Sequence, residues 1–141
     1  MRSAWRRSSS PAWTCSSCGG SRGPAEHAQL RAYVGIYGTV LARGRMCLCG
    51  MLASDFETLP AAVQQRVSEF FGRSYVWLEG VIDQGVADGR IPAPVSPRAT
   101  AEALVAGLER AMLVSRPSHG SERFEAIADA LLESMGVNSR G

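Results

Sequence analysis

Four cysteines, two histidines and one pair of carboxylates are the residues through which this chain could do metal or covalent chemistry. Cys15 and Cys18 stand as C-x-x-C, half of a zinc site that needs four ligands. Cys47 and Cys49 complete it poorly, because on a helix positions i and i+2 point to opposite sides. His27 and His119 have no partner at ligand spacing, so no metal and no cofactor is expected. A cysteine nucleophile needs a neighbouring base and an electropositive setting. Arg43 and Arg45 lie near Cys47, but no histidine does. Asp55 and Glu57 read as a polar helix entry rather than an acid/base pair, and no glycine-rich phosphate loop is present. The expectation is a non-enzyme with free thiols. A small thiol enzyme or metal protein is the competing reading, and it predicts fast alkylation of Cys47 or Cys49, or stoichiometric zinc.

At 141 residues the chain is long enough for one domain with a real core. No apolar run approaches the roughly 20 residues of a membrane span. The formal net charge of +2 does not by itself demand nucleic acid. All the basic residues are arginine, and Ala, Gly and Pro abound, which fits a GC-rich genome better than a set of chosen anion binders. Arg2, Arg6, Arg7 and Arg22 face only Glu26 in the first 26 residues, so the head is basic and the body near neutral. The head has no apolar h-region and is not a secretory signal, which places the protein in a reducing cytoplasm.

Residues 1–24 show no period and read as a disordered or aberrant segment. Out-of-frame GC-rich DNA gives this kind of Arg/Ser/Gly/Pro/Cys/Trp mixture. A nucleic-acid arm built on Trp5, Arg6 and Arg7 is the weaker alternative. Residues 25–141 carry helical pattern. Leu30, Tyr33, Val34, Tyr37, Val40 and Leu41 share one face of a helix over residues 26–43, closed by Gly44. Residues 46–56 form one or two short turns. Residues 58–90 then form one long amphipathic helix, capped at Thr58 or Leu59 with Pro60 in its first turn. Its stripe is Val63, Val67, Phe70, Ser74, Trp77, Leu78, Val81 and Gly85. Gly72, Gly80 and Gly85 weaken it by about 1 kcal/mol each relative to alanine, so tertiary packing must hold it. They mark a bend, a tolerated weak spot, or a close approach.

Residues 91–95 are a proline-broken connector. Ser96-Pro97 opens a further helix by the cap-then-proline rule, with Ala101, Leu104, Val105, Leu108, Ala111, Met112 and Ser115 in its stripe. Ser121 opens the last, with Phe124, Ile127, Ala128, Leu131, Leu132 and Met135, and Gly136 closes it. No strand pattern is found. The expected fold is all-α, an antiparallel helical bundle of about five helices. The last two helices are narrow and strongly apolar, and a two-fold dimer would bury their exposed seam.

The run LRAYVGIYGTVLARGRMCLCGMLASDFETLPAAVQQRVSEFF resembles the C-terminal half of TetR-type transcriptional regulators. RMCLCGMLASDFETLP is its most specific part, and ALVAGLERAMLVSR and ERFEAIADALLESM fit that family's last two helices. The resemblance covers residues 24–135. It implies an apolar effector pocket and dimerisation through the last two helices. It places Tyr33, Tyr37, Met46, Met51, Phe56, Phe70, Trp77 and Met112 around the pocket, which suits a small hydrophobic effector. It places Leu104, Leu108, Met112, Phe124, Ile127, Leu131 and Leu132 in the homodimer interface. The family's helix-turn-helix finds no counterpart in residues 1–24, so DNA binding is expected only where the intact gene or a partner supplies that unit. The alternative is a stand-alone helical interaction protein that forms mixed dimers with intact regulators. No ionisable group can be placed in the pocket from the residues alone.

Overall fold

The computed structural model describes residues 26–118 and 121–137. The expectations for residues 1–24, including the Cys15/Cys18 pair, and for His119 fall on residues outside those described. The described residues contain five α-helices and two short 3-10 turns, and no strand. The helices are α1 (Glu26–Ala42), α2 (Leu48–Ser54), α3 (Ala61–Ala87), α4 (Pro97–Ser115) and α5 (Ser121–Ser134). The 3-10 turns, Phe56–Thr58 and Arg116–Ser118, precede α3 and follow α4.

The boundaries follow local chemistry. Ser96 accepts a hydrogen bond from the Ala99 N–H at 3.2 Å, and Pro97 sits in the first turn of α4, as the cap-then-proline rule requires. Gly44 and Gly136 end α1 and α5 at φ values of 69° and 79°, the left-handed region that glycine enters without cost. After Gly136, the Val137 N–H donates to the Leu132 carbonyl at 2.9 Å, and the Val137 side chain is fully buried.

The long helix is shorter than its pattern. It begins after Pro60 and, at 27 residues, is about 40 Å long. Thr58 does not cap it, because its hydroxyl donates to the Asp55 carbonyl at 2.7 Å within the 3-10 turn. Gln64 takes over the tethering and donates to the carbonyls of Phe56 and Leu59 at 3.0 and 3.1 Å. The three glycines divide. Gly72 and Gly80 face open space, whereas a Cβ on Gly85 would overlap Ile91, which folds back onto the helix there.

One core runs through the molecule. Leu30 and Tyr37 of α1, Leu78, Val81 and Ile82 of α3, Leu104, Leu108 and Met112 of α4, and Phe124 and Leu132 of α5 all contribute to it. Burying each large apolar side chain contributes about 1.5–3 kcal/mol. At one end, Arg90 closes a 2.6 Å ion pair with the nearly buried Glu26, and His27 Nε2 donates to the Arg90 carbonyl at 3.0 Å. These two contacts pin the start of α1 to the end of α3. Among the described residues, no helix is long and apolar enough to cross a membrane.

The strongest apolar stripes of α4 and α5 are spent inside the protomer. Leu104, Leu108, Met112, Phe124 and Leu132 are each at most 2% exposed. This corrects the expectation that they face a partner: their period marks the side of each helix turned toward its own core. Ile127 and Leu131 are half-buried. Helical spacing puts Ala99, Ala103, Ala106 and Arg110 on the side of α4 opposite Leu104 and Leu108, and they are exposed. Ala126 and Ala130 are likewise exposed on α5, and Leu113 and Val114 stand out at the end of α4. The two helices approach closely where Leu131 lies over Gly107, a position with no room for a Cβ.

Candidate functional site

The site assembles where α1, α2, α3 and α4 meet. On α1, Tyr33 and Tyr37 are one turn apart, so their side chains share a face. Their hydroxyls are 3.3 Å apart and their ring centroids 5.6 Å apart. Across the gap, the Trp77 ring of α3 stacks on Tyr33 at 5.7 Å. Phe71 stacks on Tyr75 further along α3, and the Arg98 guanidinium lies 5.1 Å from the Tyr75 ring centre. Aromatic faces thus line the contact between α1 and α3.

The polar floor comes from α4 and from the start of α2. Glu109 projects from the flank of α4 against the backbone of Gly50, so closely that a Cβ there would overlap the carboxylate. Its Oε1 is sealed from water and has no hydrogen-bond partner. Burial raises the Glu109 carboxyl above its ordinary value, and the Cys47 thiol and Tyr37 hydroxyl beside it pull the other way. The same proximity acts in reverse. Burial and the Glu109 carboxylate push the Cys47 thiol up to about 11. Burial raises Tyr37 as well, with the Tyr33 hydroxyl and the Glu109 charge adding to it. Cys49 is raised by burial and by Glu109, and Tyr75 by burial and by Glu102. Both cysteines are free. At neutral pH these thiols and phenols stay protonated, so they offer hydrogen bonds and not nucleophiles.

The structure divides the residues expected around a pocket. Tyr33, Tyr37 and Trp77 come together. Met46 packs half-buried on the core, and Met112 is fully buried within it. Phe56 is half-buried in the 3-10 turn. Met51 at 46% and Phe70 at 39% exposure are surface residues and are corrected out of the lining. Met51 faces outward from a two-turn helix, and Phe70 lies edge-on against Phe71. Glu109, Cys47 and Gly50 were missed as site residues. Glu109 follows Leu108 on the edge of an apolar stripe, a place that exposed carboxylates such as Glu102 occupy equally well. No ionisable group can be placed beside these rings from the residues alone; the structure sets the Glu109 carboxyl against Gly50, next to Cys47 and Tyr37.

Two open clefts of about 440 and 590 Å³ lie elsewhere. The first runs between α1 and α5, and the Arg31–Asp129 ion pair at 3.3 Å sits on it. The second lies under the proline-rich connector and has no titratable side chain. Neither is lined by Glu109, Tyr33, Tyr37 or Trp77. Among the described residues, no three His, Cys, Asp or Glu side chains are grouped to hold a metal ion.

The tetracyclin repressor-like C-terminal domain family matches this chain over residues 27–131. Among solved structures, the chain is similar to a transcriptional regulator of the TetR family from Agrobacterium tumefaciens. The two share 33% identity with a TM-score of 0.75, over 80% of this chain and 60% of that one. This chain therefore spans about 60% of the length of the regulator it matches. No curated protein matches.

Proposed function

The chain belongs to the TetR family of transcriptional regulators, and from that membership we propose that residues 27–131 form the small-molecule-sensing and dimerisation domain of such a regulator, acting in the cytoplasm. One observation supports the reading: α4 sets its Glu109 flank against Gly50 beside Tyr37, while its Ala99, Ala103, Ala106 and Arg110 face is exposed. A small-residue face lets helices approach closely, and the same face on α5, with Ala126 and Ala130, extends it. Two such pairs form a four-helix interface related by a two-fold axis. A ligand that moves Glu109 bears directly on the helix that holds the dimer, which is how occupancy reaches the rest of the regulator. DNA reading belongs to a helix-turn-helix outside the matched residues, supplied by the intact regulator or by a partner chain.

The test is thermal melting of the full chain against a panel of small aromatic and aliphatic compounds. A ligand present at about 100 times its Kd adds roughly 2.7 kcal/mol of stability. At least one compound should raise the melting temperature of the wild type by several degrees and leave Trp77→Ala unmoved. A panel that stabilises neither protein contradicts the sensing role.

A further inference from the structure

We propose that the dimer is completed by an exchange of side chains, in which Val95 of each protomer seats in the partner's apolar cleft beneath the connector of residues 91–95. This rests on the dimerisation role proposed above and names one residue and its seat within that interface.

The valine is carried on a stiff strut. It is 108% exposed, so its own protomer buries none of it. The connector is held at both ends. Ile91 lies where a Cβ on Gly85 would stand, and Pro92 where one on Gly136 would. Ser96 caps α4, with Pro97 in its first turn. Pro92, Pro94 and Pro97 fix the backbone φ angle at three positions around Val95. A side chain presented in this way loses little freedom when a partner buries it.

The cleft beside it, of about 590 Å³, is a hydrocarbon socket. Ser96, Thr100 and Ser134 border it, and each hydroxyl is committed to its own backbone. Ser96 Oγ accepts from the Ala99 N–H, Thr100 Oγ1 donates to the Ser96 carbonyl at 2.9 Å, and Ser134 Oγ donates to the Leu131 carbonyl at 2.6 Å. No titratable side chain lines the cleft. It offers an occupant burial but no hydrogen bond, which suits an aliphatic side chain better than a polar ligand.

The occupant is a second copy because the cleft opens on the side of α4 that is exposed: Ala99 and Ala103 belong both to its lining and to that face. In a two-fold interface each surface patch meets its own counterpart. Val95 stands on the rim of its own cleft. An axis passing beside that rim therefore sets each valine over the other copy's cleft, and the two seats fill together.

Sedimentation equilibrium of the full chain tests this through the dimer dissociation constant. Val95→Ala removes two methyl groups from each of two seats and should weaken the dimer by roughly a hundredfold, with an unchanged helical spectrum. Val76→Ala, at an exposed valine of α3, should leave the constant within about twofold. Ala103→Leu fills the cleft from its own protomer and should also weaken the dimer. In the double variant the two effects should fall short of their sum, because they act on one seat. An unchanged constant in Val95→Ala, or additive effects in the double variant, overturns the seat and leaves the dimer standing. A wild type that is monomeric throughout overturns the dimer and the seat together. N-phenylnaphthylamine, a neutral apolar dye, should stay dim with the wild-type dimer, whose clefts are filled. A dye that brightens with the wild type and not with Ala103→Leu gives the cleft to a small apolar ligand and overturns the proposal.

Discussion

The Glu109 carboxylate occupies the space that a side chain on Gly50 would fill. Gly50→Ala therefore sets two small effects against each other. Alanine favours the α2 helix by about 1 kcal/mol over glycine, and the obstructing group is the flexible tip of a glutamate that can swing away. The variant should melt within about 3 °C of the wild type, because 1 kcal/mol moves a domain of this size by only a few degrees. Its chemistry should change more than its stability. With the carboxylate displaced, the Cys47 thiol loses one of the groups that hold it up at about 11. Alkylation of Cys47 by iodoacetamide at pH 8.5 should be slow in the wild type and faster in Gly50→Ala. Fast alkylation of the wild type would show that the thiol is not held protonated.

Glu109 also predicts a pH dependence. Its folded-state pKa is raised, so the folded chain holds that proton more tightly than the unfolded chain does. Its contribution is most favourable below the ordinary carboxylate value and is lost as pH rises through the raised one. The residues facing it are Tyr37 and Cys47, with Cys49 and Tyr75 within reach of its charge, and all four are neutral over that window. Glu109→Gln removes the penalty. It should melt above the wild type at pH 7.5, and the gap should close as the pH falls through the ordinary carboxylate range. A gap that widens on acidification would contradict a desolvated carboxylate.

The ion pair between Arg90 and Glu26 gives a stability prediction away from the site. Glu26 is 8% exposed and Arg90 33%, with 2.6 Å between them. Arg90→Ala strands a nearly buried carboxylate at the start of α1. The partial exposure of the arginine softens the loss, so the expected cost is about 1–2 kcal/mol in chemical denaturation. Arg90→Ala with Glu26→Gln should recover part of that cost. A double variant as unstable as the single one would mean that the arginine acts through packing alone.

The helix order was legible because amphipathic period and terminal signals agree with one another. Ser96-Pro97 starts α4, and Gly44 and Gly136 end α1 and α5, as their residue types require. The start of α3 was misplaced because a threonine just ahead of a proline looks like a cap, while Thr58 in fact closes its own turn. Tyr33, Tyr37 and Trp77 were grouped by the family resemblance, and the structure brings them together. Glu109 was not grouped with them, because nothing in the local pattern separates it from the exposed Glu102. The backbone of Gly50, 59 positions earlier, closes on it together with Cys47 and Tyr37.

Five of the residues expected at a dimer face lie in the protomer core instead. Strong hydrophobic period reports burial, and a protomer core and an oligomer seam produce the same signal. Here Leu104, Leu108, Met112, Phe124 and Leu132 go to the core, and the surface left over carries alanines. The two kinds of position separate by mutation. Leu108→Ala, at 0% exposure, should cost about 2–5 kcal/mol of folding stability. Ala106→Glu, on the exposed face, should leave the fold intact and repel a second copy.

Molar mass by light scattering therefore tests most directly whether α4 holds a partner on one face while it floors the site on the other. At high micromolar concentration the full chain is expected at twice its 15.1 kDa, and Ala106→Glu at the single-chain mass with an unchanged helical spectrum. A wild type that stays at 15.1 kDa with a cooperative melt would contradict the account.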